Sequence, residues 1–216
     1  MDLRSYHLME LSIAQDPADP RRSLPAIGPH HRRVLDIGCG AGQTLISSRL
    51  PPGSLGVGID IDHEPLVLGR ELAPTLQFLR ARGEALPFTP SSFDLVICRV
   101  ALPYMHIRRA LAEMARVLVH GGDIWLVLHP WRMTMAELRG AVQGLRLRSA
   151  LHRGYVTVSS LLFHAAGVQM AWPPNGSYES FQTVRGMRRA LRSAGFDRIE
   201  FTRAAGFIAT ARRTGG

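Results

Sequence analysis

Residues 34–44 read Val34-Leu35-Asp36-Ile37-Gly38-Cys39-Gly40-Ala41-Gly42-Gln43-Thr44, an apolar run and an aspartate followed by three glycines at every second position. The run reads as a buried strand delivering a ligand-binding turn, with a helix starting near Gly42. Gly38, Gly40 and Gly42 carry no side chain, so the backbone can turn sharply and a ligand can approach it closely. A tight loop that holds nothing can show the same spacing, so the surrounding chain has to decide between the two.

Downstream, strand-like runs at 33–37, 55–60, 76–81, 93–98 and 122–128 alternate with helix-like segments at 42–49, 64–73 and 107–118. Such alternation implies crossover units and a parallel sheet covered on both faces, with ligands bound beyond the carboxyl ends of the strands. Pro65 near one helix start, Pro74 past its end and Asp62 as a cap fit the expected helix boundaries. Residues 130–180 break the pattern: Trp131, Tyr155, Phe163, His164, Trp172 and Tyr178 lie among helical stretches and the turn formers Pro173, Pro174, Asn175 and Gly176. They read as an insertion over the sheet, either a substrate-side lid or a dimer interface. A helix at about 180–194 with Gly195 as its stop follows, then strands at 196–202 and 206–212 with no helix between them, so one is antiparallel.

Upstream, residues 3–14 form a short helix, and Pro17, Pro20, Pro25, Gly28 and Pro29 mark a linker. The expectation is one α/β domain of 216 residues on a Rossmann-like, doubly wound, mostly parallel seven-stranded sheet. Its parts are a helix and linker at 1–32, a cofactor-binding core at 33–129, the insertion at 130–180, and a helix and hairpin at 181–216.

Apolar residues make up 46% of the chain and are spread throughout, which excludes a disordered polymer, and no run reaches the length of a membrane span. The N-terminus lacks a secretory apolar core, and Cys39 and Cys98 are too few for a metal cluster, so the expectation is a soluble, cytoplasmic protein without a metal. The net charge of +9 rests on arginine alone, because the sequence holds no lysine. That skew reads as compositional. Arg185, Arg188, Arg189 and Arg192 lie opposite an apolar stripe of Phe181, Val184, Met187, Leu191 and Ala194, as on a solvated helix face.

Asp60 ends the second strand about 20 residues after the turn, where a carboxylate can accept hydrogen bonds from both hydroxyls of a ribose. A nicotinamide dinucleotide would favour glycine at position 43, which is Gln43 here. An early carboxylate followed by alternate glycines suits a cofactor that carries an ammonium group and no pyrophosphate, and S-adenosylmethionine is that cofactor.

With these residues in place, the chain resembles the class I S-adenosylmethionine-dependent methyltransferases, in the small-molecule branch that includes the ubiquinone and menaquinone C-methyltransferases. The resemblance covers about residues 33–129 and rests on four landmarks in order: Val34 to Gly42; Gly56 to Ile61; Glu84-Ala85-Leu86-Pro87-Phe88 leading to Ser92-Phe93-Asp94-Leu95-Val96; and Ala112 to Gly122, a stretch ending in a glycine turn before the fifth strand. It implies that Asp36 and the backbone from Gly38 through Cys39 to Gly40 meet the methionine end of the cofactor. Asp60 meets the ribose, Ile61 the adenine face, Gly83 and Glu84 the adenine edge, and Arg99 and Val100 lie near the reacting sulfur. Family members often place an aspartate where this chain has Arg82, so the adenine amino group needs another acceptor.

Methyl transfer from a sulfonium asks mainly for alignment and a water-poor site, with a base only where the acceptor loses a proton. Tyr104, His106 and His129 fall on the rim where acceptors bind, with His129 the foremost candidate, though each also fits a satisfied polar residue at a strand end. The leading expectation is transfer to a small, partly apolar molecule. An RNA methyltransferase is the first alternative. It is disfavoured because Arg99-Val100-Ala101-Leu102-Pro103-Tyr104 replaces the Asp/Asn-Pro-Pro-Tyr/Phe of base-clasping enzymes and holds no Pro-Cys nucleophile. A non-catalytic cofactor-binding protein is the second alternative. The acceptor atom and the oligomeric state are not legible in the chain.

Overall fold

A computed structural model describes residues 2–144, 147–203 and 206–215. Its strands are β1 (Arg33–Ile37), β2 (Leu55–Asp60), β3 (Gln77–Arg80), β4 (Phe93–Arg99), β5 (Leu118–Leu128), β6 (Phe196–Thr202) and β7 (Phe207–Arg213). They form one sheet in the order β3-β2-β1-β4-β5-β7-β6. Every pairing from β3 to β5 is parallel, and β7 runs antiparallel to both its neighbours. The seven-stranded, mostly parallel sheet with an antiparallel terminal strand is the one the alternating pattern implies. Strands buried on both faces read as continuous apolar runs, and Val34, Leu35 and Ile37 are fully buried.

The helices are α1 (Leu3–Gln15), α2 (Gln43–Ser47), α3 (His63–Leu72), α4 (Ile107–Val117), α5 (Trp131–Gln143), α6 (Leu147–Ala166) and α7 (Val184–Ser193). On α4, Ile107, Ala110, Leu111, Met114 and Val117 recur at helical spacing and are completely buried against one face of the sheet. Each large apolar side chain so buried contributes about 1.5–3 kcal/mol. On α7, Met187, Ala190 and Leu191 face the same core, while Arg185 and Arg192 stay exposed. Asp62 occupies the cap position of α3, but its side chain makes no capping bond.

The main departures from the sequence expectation lie at two boundaries. The glycine pair Gly121-Gly122 lies inside β5, which begins at Leu118. Gly121, at φ +73°, lets the strand bulge, so the pairing steps from Phe93–Leu118 to Leu95–Asp123. The last helix begins at Val184, because Thr183 caps it by accepting from Gly186 N–H at 3.1 Å. The insertion at 130–180 is mostly the pair α5 and α6, which pack on each other. Leu145 and Arg146 of that range lie outside the described residues.

Candidate functional site

The glycine turn leaves the carboxyl end of β1. Gly38 and Cys39 both donate their N–H to the Ile59 carbonyl, at 2.8 and 3.0 Å, tying the turn to the end of β2. Gly38 sits at φ +70°, and a Cβ there would fall 2.2 Å from the Cβ of Ala101. Only glycine lets the turn lie so close to the loop after β4. Cys39 is buried, with its thiol turned toward its own turn, where Sγ donates to the Gly40 carbonyl. Burial pushes that thiol well above its usual range, so Cys39 offers a ligand its backbone alone.

Asp60 ends β2 with both oxygens engaged: Oδ2 accepts from Gly40 N–H at 2.8 Å and Oδ1 from Asp62 N–H at 3.1 Å. A carboxylate has roughly four acceptor sites, so about two remain for a ligand's hydroxyls. Beside it a cavity of about 270 Å³ is lined by Gly38, Asp60, Ile61, Gly83, Ala101 and Met105, among others. Arg82 projects outward, 75% exposed, with Nε 4.0 Å from Glu84 Oε2. Glu84 also lines the cavity, and its carboxylate accepts from His106 N–H at 3.0 Å.

Asp36 is the unusual member. It is 1% exposed, and neither carboxylate oxygen has a hydrogen-bond partner. Burial pushes its carboxyl up to about 7, nearby Arg99 opposes this, and Asp60 adds to it. Arg99, at the end of β4, is held by Glu10 of α1 through Nη2–Oε2 at 2.7 Å, both side chains being about one-fifth exposed. Val100 follows at φ +65°, a conformation that costs a β-branched residue about 1–3 kcal/mol. That strain sits directly at the rim of the turn.

The N-terminal helix belongs to this site, a role the sequence reading missed. His7 is buried, its Nδ1 lies 2.8 Å from Gln43 Nε2, and its ring fills the space over Gly40. Together with Glu10, this places α1 over the glycine turn.

The three rim candidates separate. Tyr104 ends a 3-10 turn, Leu102–Tyr104, lines the cavity and is half exposed. His129 is buried behind it, the two rings meeting edge to face at 5.4 Å. Burial pushes the His129 imidazole below its usual value, leaving it neutral at pH 7. Gln182 clasps its backbone, accepting from His129 N–H at 3.0 Å and donating N–H to His129 O at 2.9 Å. His106 instead caps α4, its Nδ1 accepting from Arg109 N–H, with its ring against Tyr178 at 5.1 Å. Arg153 of α6 pairs with Glu137 and Glu179, and this charged group faces His129 and Tyr104.

Two larger grooves, about 530 and 580 Å³, lie along the linker, away from the strand ends that carry the carboxylates. The first contains His31 and Asp123; with His30, their ligand atoms lie within 4.8 Å of one another. His31 Nδ1 accepts from Gly28 N–H at 3.0 Å, which leaves the proton on Nε2, facing Asp123 Oδ2 at 3.1 Å. That arrangement ties the linker to β5 by a hydrogen bond and spends the lone pair a cation would need.

Residues 35–126 match the family model described as a methyltransferase domain. An uncharacterized methyltransferase of Bacillus subtilis, YcgJ, is 36% identical over 103 residues, 45% of this chain and 40% of that relative. The match thus spans well under two thirds of that relative's length. A demethylmenaquinone methyltransferase of Chlorobaculum tepidum is 24% identical over 175 residues, 81% of this chain and 69% of the relative. The fold is shared with a SAM-dependent methyltransferase structure from Methanosarcina mazei, at a TM-score of 0.58 and 21% identity, over 88% of this chain and 96% of that one.

Proposed function

We propose that this chain, whose residues 35–126 match the methyltransferase-domain model, is a class I S-adenosylmethionine-dependent methyltransferase that methylates a small, partly apolar acceptor. The observation that carries the reading is Asp36, a sealed carboxylate without a partner at the carboxyl end of β1. An ammonium group brought against it would supply both the charge and the hydrogen bonds it lacks. The cofactor's methionine end carries that group. The backbone of Gly38, Cys39 and Gly40 would lie along it, Asp60 would take the ribose on its free acceptor sites, and Ile61, Gly83 and Glu84 would border the adenine. Arg99 and Val100 would stand beside the sulfur.

When bound, S-adenosylmethionine supplies a methyl group on a sulfonium sulfur, already activated for in-line displacement. The residues around it hold and align. Tyr104 and the insertion keep water from the reacting side, and His129, held neutral by burial, is fit to receive a proton from an acceptor that must lose one. The relative named for demethylmenaquinone supports a small apolar acceptor. Arginines at 33, 99, 116, 153 and 212 are already paired with carboxylates, which leaves less free charge for an RNA backbone. We place the enzyme in the cytoplasm on its two free, buried thiols.

The test is transfer of label from methyl-labelled cofactor to a metabolite extract and, separately, to total RNA. Label in the organic-soluble fraction supports the proposal. Label in RNA would replace it with the nucleic-acid reading, and binding without transfer would reduce the chain to a cofactor-binding protein.

A further inference from the structure

Helix α6 is inside out. At 100° per residue, Leu147, Leu151, Val158, Leu161 and Leu162 fall within an arc of about 100°, and they are 72%, 61%, 51%, 56% and 38% exposed. The opposite side carries the buried Val156, Ser159, Ser160 and Phe163, with Arg153 engaged in its ion pairs. A helix that only packed against its own core would turn the serines outward and the leucines inward. The stripe continues at the neighbouring end of α5, where Val142 is 57% exposed. Arg139 and Arg148 stand exposed beside it, and α6 contains no aspartate or glutamate. Trp131 and Met133, both exposed, open α5 with Arg132 over the indole.

We propose that the α5–α6 pair docks on an anionic lipid surface, with the α6 stripe in the acyl boundary and the flanking arginines at the headgroups. Apolar side chains rimmed by arginine on a helix free of acid match that interface, and Glu137 of α5 is paired with Arg153. The helix lies on the surface, since among the described residues no helix is long and apolar enough to cross a membrane. A second copy of the chain is the poorer occupant, because it would bring the same arginine rim and a further net charge of +9 to the interface with no acid on α6 to pair them. The inference stands on the helix alone and does not depend on the identity of the methyl acceptor.

The test is co-sedimentation of the full chain with phosphatidylcholine vesicles made with and without phosphatidylglycerol. The wild type should bind the anionic vesicles and release as salt is raised. The double variant Leu151→Asn, Leu161→Asn, altered only at exposed positions, should lose about tenfold or more of that binding while keeping its circular dichroism and cofactor affinity. No wild-type binding, or equal binding by the variant, would overturn the proposal. So would a dimer in sedimentation velocity that the variant dissolves without any vesicle binding, which would assign the face to a second copy. Vesicle binding is read without methyl transfer, so a failed acceptor assay leaves it untouched.

Discussion

Replacing Asp36 by asparagine should make the cofactor-free protein more stable and a worse binder, and the stability gain should depend on pH in a way only a sealed carboxyl produces. In the unfolded chain the carboxyl titrates at its ordinary value of 3.8, and in the native state burial pushes it up to about 7. Below pH 3.8 both states carry the proton and nothing is lost. Between those values the unfolded chain ionises while the native one stays neutral, so the native state loses about 1.4 kcal/mol per pH unit. Above 7 both are ionised and the loss is constant, at about 4 kcal/mol. The group is fully buried, so solvent screening does not shrink this figure.

Asparagine copies the shape of the neutral acid and does not titrate. The variant should therefore match the wild type near pH 4 and exceed it by about 4 kcal/mol at pH 8, roughly 10 °C in midpoint for a domain of this size. Urea unfolding at the two pH values, with equal slopes for both proteins, measures the gap. A gap independent of pH, or under about 1 kcal/mol at pH 8, would mean that Asp36 already has a partner and would refute the reasoning. The same substitution removes the partner of an ammonium group, worth about 1.5–3 kcal/mol, or ten- to a hundredfold in cofactor affinity by calorimetry. Greater stability with unchanged affinity would keep the desolvation argument and remove Asp36 from the binding site.

Gly38→Ala would drive a Cβ to within 2.2 Å of Ala101 at φ +70°, and should cost about 3 kcal/mol or more in urea unfolding, partly restored by Ala101→Gly; a fully stable single variant would contradict this packing. Asp60→Ala should weaken cofactor binding about a hundredfold or more, since it removes the ribose acceptor and frees Gly40 N–H, and an unchanged affinity would displace the ribose from β2. His129→Gln should lower kcat about a hundredfold or more for an acceptor that loses a proton, while leaving cofactor affinity intact. Because burial lowers the imidazole's proton affinity, the acid limb of the wild-type pH profile should fall below the usual 6.5, and a limb at or above 6.5 would exclude His129 as the base. Neither Cys39 nor Cys98 should label with an alkylating reagent in the native state at pH 8, since burial raises both thiols, Cys98 to about 12; rapid labelling would show that the turn opens.

What was legible in the chain was whatever short-range chemistry dictates. Apolar runs fixed the strands, and the strand ends fixed where Asp36 and Asp60 stand. Contacts across long sequence distances left no local mark: Glu10 reaches Arg99 over 89 residues and His7 reaches Gln43 over 36, so α1 reads as a detached helix although it covers the glycine turn. His106 read as chemistry because it falls on the rim beyond the fourth strand, and its Nδ1 caps α4. Glu84 read as an adenine contact; it lines the cavity, and its carboxylate also accepts from the same helix start. Both of these polar groups accept from backbone N–H groups at the start of α4.

The glycine turn itself carries less functional information than its spacing suggests, and Asp36 carries more. A side chain at Gly38 would strike Ala101, and one at Gly42 would strike the Phe78 ring at 2.7 Å, so packing alone excludes a Cβ at both positions whether or not a ligand binds. Packing has no comparable use for a carboxylate. Unpartnered at 1% exposure, Asp36 lowers the stability of the fold it sits in as it ionises, and a leucine or asparagine would serve the core better. A group that costs the folded state about 4 kcal/mol at neutral pH has no use in packing, and it stands where our proposal seats the cofactor's ammonium group.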